Sequence, residues 1–93
     1  MSNKASRQTA VLANIASSTS SGVLFFVNTN AAVRTIFNDS SATLYVCLSF
    51  TAASLTNFSY KVAPAGTISF ENYGGPVSGI WDAANGFART TEW

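Results

Sequence analysis

Residues 42–50 read ATLYVCLSF, and their alternation decides the fold. Successive side chains of an extended strand point to opposite sides. Ala42, Leu44, Val46, Leu48 and Phe50 therefore share one face, and Thr43, Tyr45, Cys47 and Ser49 share the other. The first face is apolar throughout and needs a covering layer. The second holds Tyr45 and Cys47, so it too is expected to be partly covered.

The same rhythm runs outward in both directions. VLANIA (11–16) is a possible first strand, VLFFVN (23–28) is apolar on both faces, and VRTIFN (33–38) follows. Downstream, NFSYKVA (57–63) places Phe58, Tyr60 and Val62 inward with Ser59 and Lys61 outward. TISF (67–70) puts Ile68 and Phe70 on one side. PVSGIW (76–81) sets Trp81 on a face with Val77 and Gly79, and FARTTEW (87–93) ends the chain. Stretches of turn composition separate them: SSTSSG, TNAA, DSSA, TAASLT, PAG, ENYGG and DAANG. In PAG, Pro64 fixes φ and Gly66 is expected to supply a positive φ. In DAANG, Asp82 reads as a turn former, and Asn85-Gly86 suits a tight hairpin joining the last two strands. No long stretch has helical periodicity.

These features predict an all-β fold, an antiparallel β-sandwich of about six to eight short strands. A small β-barrel is the alternative closure. Polar residues 1–10 read as a flexible N-terminal arm, and residues 11–93 as a single β domain.

Charged residues are only 10% of the chain against roughly 25% in typical domains. Serine, threonine and asparagine take their place. Such a surface repels copies of itself weakly and suits fixed assembly. The net charge is +1, and without Lys4 and Arg7 three basic residues face four acidic ones, giving −1. With no basic stripe, nucleic acid is not an expected partner. The longest apolar runs, VLFFV and LYVCL, are far short of the roughly 20 residues of a spanning helix. AVLANIA (10–16) is too short, and too broken by Asn14, for a secretory leader. A lone cysteine, Cys47, excludes an internal disulfide and reads as small buried filler.

The chain has no histidine, which removes the usual general base and the commonest metal ligand. Of the four acids, Asp39, Glu71, Asp82 and Glu92, only Asp82 and Glu92 would approach each other, across the last hairpin. Both are expected at solvent positions, as a turn former and a strand end. NDSS (38–41) offers one carboxylate, too few for calcium, and YGGP (73–76) lacks the spacing of a phosphate loop. No catalytic residue, metal or cofactor is expected.

Tyr45, Tyr60, Tyr73, Trp81 and Trp93 are the candidates for a sugar-stacking face. Burying an aromatic ring removes about 150–250 Å² from water, worth roughly 4–6 kcal/mol. That favours Trp81 as core. Trp93, the last residue, is expected to plug a partner's pocket.

Three segments carry a resemblance: TIFNDSSATLYVCLS (35–49), FSYKVAPAG (58–66) and GPVSGIWDAANGFARTTE (75–92). Together they resemble a small β module of tailed-bacteriophage virions. The most specific part is the final G-I-W-D followed by A-R-x-T-E. Cys47 departs from the lysine common in that module, and SFTAAS (49–54) departs from its glycine-rich loop. The resemblance implies a non-enzymatic virion structural protein. One placement is a capsid decoration protein that binds the major capsid protein and copies of itself, often as a trimer. The other is a tail, fibre or baseplate module that binds a host-surface glycan. The short chain and its arm favour the first. Exposure logic nominates Lys4, Arg7, Phe25 or Phe26, and Trp93 as partner contacts.

Overall fold

The computed structural model describes residues 9–93, which contain eight strands and no helix. They are β1 (Val11–Ala16), β2 (Gly22–Phe25), β3 (Val33–Asp39), β4 (Leu44–Cys47), β5 (Tyr60–Val62), β6 (Thr67–Glu71), β7 (Val77–Trp81) and β8 (Phe87–Glu92). Two four-stranded antiparallel sheets form, in the orders β1-β8-β3-β6 and β2-β7-β4-β5. This is the expected sandwich.

The core lies between the sheets. Ile36 and Ala88 enter from the first sheet; Leu24, Leu44, Val46, Val62, Val77 and Trp81 enter from the second. Gly79 makes one contact possible. A Cβ there would meet the Leu24 and Leu44 Cδ1 atoms at 2.7 and 3.0 Å, so its bareness lets those side chains close over the strand.

Asn38 joins the two layers from a fully buried position. Its Nδ2 donates to the carbonyls of Ala42 (2.8 Å), Val62 (3.0 Å) and Ala63 (3.2 Å). Its Oδ1 accepts from Ser40 Oγ (2.8 Å) and from Trp81 Nε1 (3.1 Å). One amide thus satisfies the β3–β4 turn, the end of β5 and the core tryptophan, as a buried polar group must be satisfied.

Several expectations change. The last two strands do not form a hairpin: β7 and β8 belong to different sheets, and residues 82–86 cross between them. Asp82 Oδ1 accepts the Thr43 amide at 3.1 Å, bracing this crossing against the β3–β4 turn. Neither Gly66 nor Gly86 has a positive φ; that conformation falls on Ala65 (61°) and Asn72 (60°). Gly86 is needed for close approach, since a Cβ there would overlap the backbone of Asp39 and Ser40. Phe50 lies beyond the end of β4 and is 90% exposed. Phe58 and Tyr60 are exposed, and of the three residues expected inward on that strand only Val62 is buried. β5 is a short edge strand, so its rings pack sideways. Tyr60 stacks on Phe70 of the facing sheet (6.5 Å, 9°), and Phe58 meets Tyr45 on the outer face (5.0 Å).

The Ala63–Gly66 turn supplies a first test. Its closing bond runs from the Gly66 amide to the Ala63 carbonyl, 2.8 Å, with Pro64 second and Ala65 third. The third position of such a turn favours glycine. A left-handed alanine costs about 1–2 kcal/mol, and glycine's extra unfolded entropy returns part of that. Ala65→Gly is therefore expected to stabilise the domain by about 0.5–1 kcal/mol, read as a raised urea midpoint with unchanged slope. A lowered midpoint would contradict the turn assignment.

Candidate interaction surface

The two sides of the sandwich are built differently. On one side β5 and β6 are joined by the Pro64 turn and bridged by the Tyr60–Phe70 stack. On the other side β1 and β2 leave a groove of about 370 Å³ between the sheets. Its walls are Val11, Ala13 and Ile15 from β1 and the Val23–Val27 run from β2 onward; Asn28, Thr90 and Glu92 add the polar part. Val11 (60% exposed), Phe26 (79%) and Val27 (53%) sit along it, with Leu12 (76%) on the outer face of the same strand.

A buried arginine holds one end of this groove in place. Arg34 shares the inward face of β3 with Ile36 and Asn38 and is 1% exposed. Its Nε donates to Glu92 Oε2 at 2.7 Å, Nη1 to the Gly75 carbonyl at 2.6 Å and Nη2 to the Phe26 carbonyl at 2.9 Å. The guanidinium also lies over the Phe25 ring, 4.8 Å from its centroid. Asn28 Nδ2 donates to the other Glu92 oxygen at 3.1 Å. Each nitrogen of the guanidinium and each oxygen of the Glu92 carboxylate has a partner, which is the condition for burying an ion pair. The consequence is positional: the Phe26 backbone is clamped while its ring faces solvent.

The nominated contacts divide. Lys4 and Arg7 lie outside the described residues. Phe25 is buried, edge-on to Phe70 at 6.2 Å, and is removed as a surface contact; Phe26 is the exposed one. Trp93 is half-buried, and its backbone exchanges hydrogen bonds with Val33 at 2.9 and 3.0 Å. It therefore ends the β8 ladder rather than hanging free. Sequence reasoning missed Arg34, although the β3 alternation already set it on the face of Ile36. It also missed Leu12 and Phe50 as exposed apolar residues.

Asp82 and Glu92 are not a facing pair. Asp82 braces the Thr43 end of the molecule, next to the start of β8, while Glu92 ends β8 at Arg34. Five strand steps of about 3.3 Å place those ends roughly 16 Å apart. A partly exposed aromatic grouping lies elsewhere, where half-buried Tyr45 meets exposed Phe58 and Lys61 Nζ stands 5.5 Å from the Tyr45 ring. Cys47 is buried under the β4–β5 loop, whose Ala53 amide bonds Ser78 Oγ beside it. Among the described residues no group of three or more potential metal ligands occurs. No family model, curated protein or solved structure matches the chain.

Surface ion pairing is a separate matter. Arg89 and Asp39 pair at 2.9 Å with side chains 42% and 47% exposed. Such pairs contribute about 0–1 kcal/mol. Arg89→Ala is expected to change unfolding free energy by less than about 1 kcal/mol, and a larger loss in urea titration would contradict that.

Proposed function

We propose that this chain is a bacteriophage capsid decoration protein, a non-enzymatic subunit that binds the major capsid protein on the assembled shell. The observation carrying the reading is the three-segment resemblance over residues 33–92. Much of that resembling set works inside the sandwich: Ile36, Asn38, Leu44, Val46, Trp81 and Ala88 are buried together. Those residues build the framework and leave recognition to the exposed surface. A neutral surface with exposed Phe26, Phe50 and Leu12 suits a subunit that ends up covered.

The mechanism is mass action. A subunit that binds only the assembled shell stabilises it by about 2.7 kcal/mol per site at a free concentration of 100 Kd. Repeated over many sites, that resists heat and internal pressure. Purified particles are expected to carry this chain in near-integral ratio to the major capsid protein, on the shell surface. Its presence at the tail alone would overturn the reading.

The Tyr45–Phe58–Lys61 grouping favours a second reading, a tail, fibre or baseplate module that stacks a host-surface glycan. Binding to host wall polysaccharide that is lost in Tyr45→Ala would select it. A glycan array with no binding would remove it.

A further inference from the structure

We propose that β1 is a pairing edge for a second copy of this chain, joining two first sheets into one across a two-fold axis. The sandwich has four edge strands, and three carry a device that blocks edge pairing. β2 has four residues and a register shift between Val23 and Phe25. β5 has three residues, one of them Lys61, with Pro64 just beyond. β6 ends on exposed Glu71, and left-handed Asn72 turns the chain away. Short strands, charges, prolines and bulges are the usual means of protecting edges.

β1 has none of these. It runs six residues in unbroken register with β8, without charge or proline, and five of its six residues are exposed. Its free backbone groups can be assigned. The Ser17 amide bonds the Gly86 carbonyl at 2.8 Å, continuing the β1–β8 ladder. Antiparallel ladders alternate, so Val11, Ala13 and Ile15 direct their backbone groups to β8. Leu12, Asn14 and Ala16 direct theirs outward, where no other described strand pairs with them.

A second β1 fits this edge. A two-fold through Ala13 sets Val11 of one copy opposite Ile15 of the other on the groove side, and Leu12 opposite Asn14 on the outer side. Both rows keep side chains on the correct face, as pairing residues of equal parity requires. The incoming strand closes the groove mouth near Phe26 and Val27. The exposed side chains of Val11, Leu12, Val23, Phe26 and Val27 offer on the order of 500 Å² of apolar surface per copy. Two such strips plus paired backbone approach the roughly 1,200 Å² of the smaller stable interfaces. The chain's low charge adds little repulsion between copies.

The inference stands apart from the shell-binding reading, because it is tested on the purified full-length chain with no particle present. Sedimentation across about 1–500 µM is expected to show a reversible dimer. Asn14→Pro removes an outward amide and leaves the β8 ladder intact, a placement proline tolerates. It is expected to weaken dimerisation at least about 100-fold while the circular dichroism stays that of the wild type. Leu12→Lys adds an edge charge without touching the backbone and is expected to act the same way. Amide exchange should show Leu12, Asn14 and Ala16 protected at high concentration and open on dilution, with Ala13 and Ile15 protected throughout. A monomer at every concentration overturns the proposal, as does a dimer indifferent to both variants. Protection of the three outward amides that ignores dilution also overturns it, since the chain's own residues would then cover the edge.

Discussion

Asn38→Asp is expected to remove much of the chain's stability at neutral pH, at least about 3–5 kcal/mol. The substitution barely changes shape, yet it turns a donor into an acceptor. An oxygen would then face the carbonyls of Ala42, Val62 and Ala63 at the 2.8–3.2 Å now spanned by hydrogen bonds. One carboxylate oxygen would keep the Ser40 and Trp81 donors, while the other replaces the N–H groups and gains three repulsive neighbours. Leaving a buried charge uncompensated costs about 3–5 kcal/mol, and the broken hydrogen bonds add to that. Domains hold only about 5–15 kcal/mol in all.

The pH dependence has a definite sign. Burial among carbonyls disfavours the charged form, so the folded variant's carboxyl titrates above the unfolded value of about 3.9. A group with a raised folded pKa has its full share of stability below the unfolded pKa and loses it as pH rises. The difference between variant and wild type should therefore shrink as pH falls from 7 toward 4. Urea unfolding at the two pH values reads it directly. An equal deficit at both would mean that the carbonyl cage is not the cause.

Arg34→Ala is the second large effect, expected to cost about 4 kcal/mol. The change strips Glu92 of its partner at 2.7 Å and frees the carbonyls of Gly75 and Phe26. It also removes the cation over the Phe25 ring. Glu92 is 15% exposed, so water relieves only part of the loss. For a domain of this size, 4 kcal/mol lowers the melting temperature by roughly 15–30 °C. Arg34→Lys keeps the charge but not the fork that reaches three acceptors at once, so it should recover less than half of the loss. A full rescue by lysine would assign the effect to charge alone.

Both residues show where a sequence stops being legible. A two-residue period in VRTIFN is enough to put Arg34, Ile36 and Asn38 on one face, but nothing local says that a charge and an amide are fully buried there. Their partners lie far along the chain: Glu92 is 58 positions from Arg34, and Trp81 is 43 from Asn38. The candidate surface was read in part. Phe26 was nominated and is exposed. Phe25 stands beside it and is buried: consecutive residues of an extended chain point to opposite sides, and the register shift between Val23 and Phe25 sets which of the two turns inward.

Turn chemistry misled in a related way. Asn85-Gly86 carries a strong hairpin signal, yet the chain crosses from one sheet to the other there. The glycine is required by the Asp39–Ser40 backbone pressing on it, not by its own dihedrals. Gly66 was given the positive φ that Ala65 holds, since composition marks a turn without fixing which residue bears its strain.

What the amino-acid sequence determined by itself was the strand class, the places where the chain turns, and which side of most strands seeks burial. Those follow from the two-residue period of an extended backbone and from turn residues, both local. Only the tertiary structure decided which strands pair. Of the seven connections, β4 to β5 alone stays within one sheet, and the other six cross. Local alternation says that a face must be covered and is silent on what covers it. The partner is chosen by long-range packing and by buried polar groups such as Asn38 and Arg34, whose bonds close only when distant strands arrive together. Among the described strands, the same assembly leaves β1 as the one edge without a charge, a proline or a register shift.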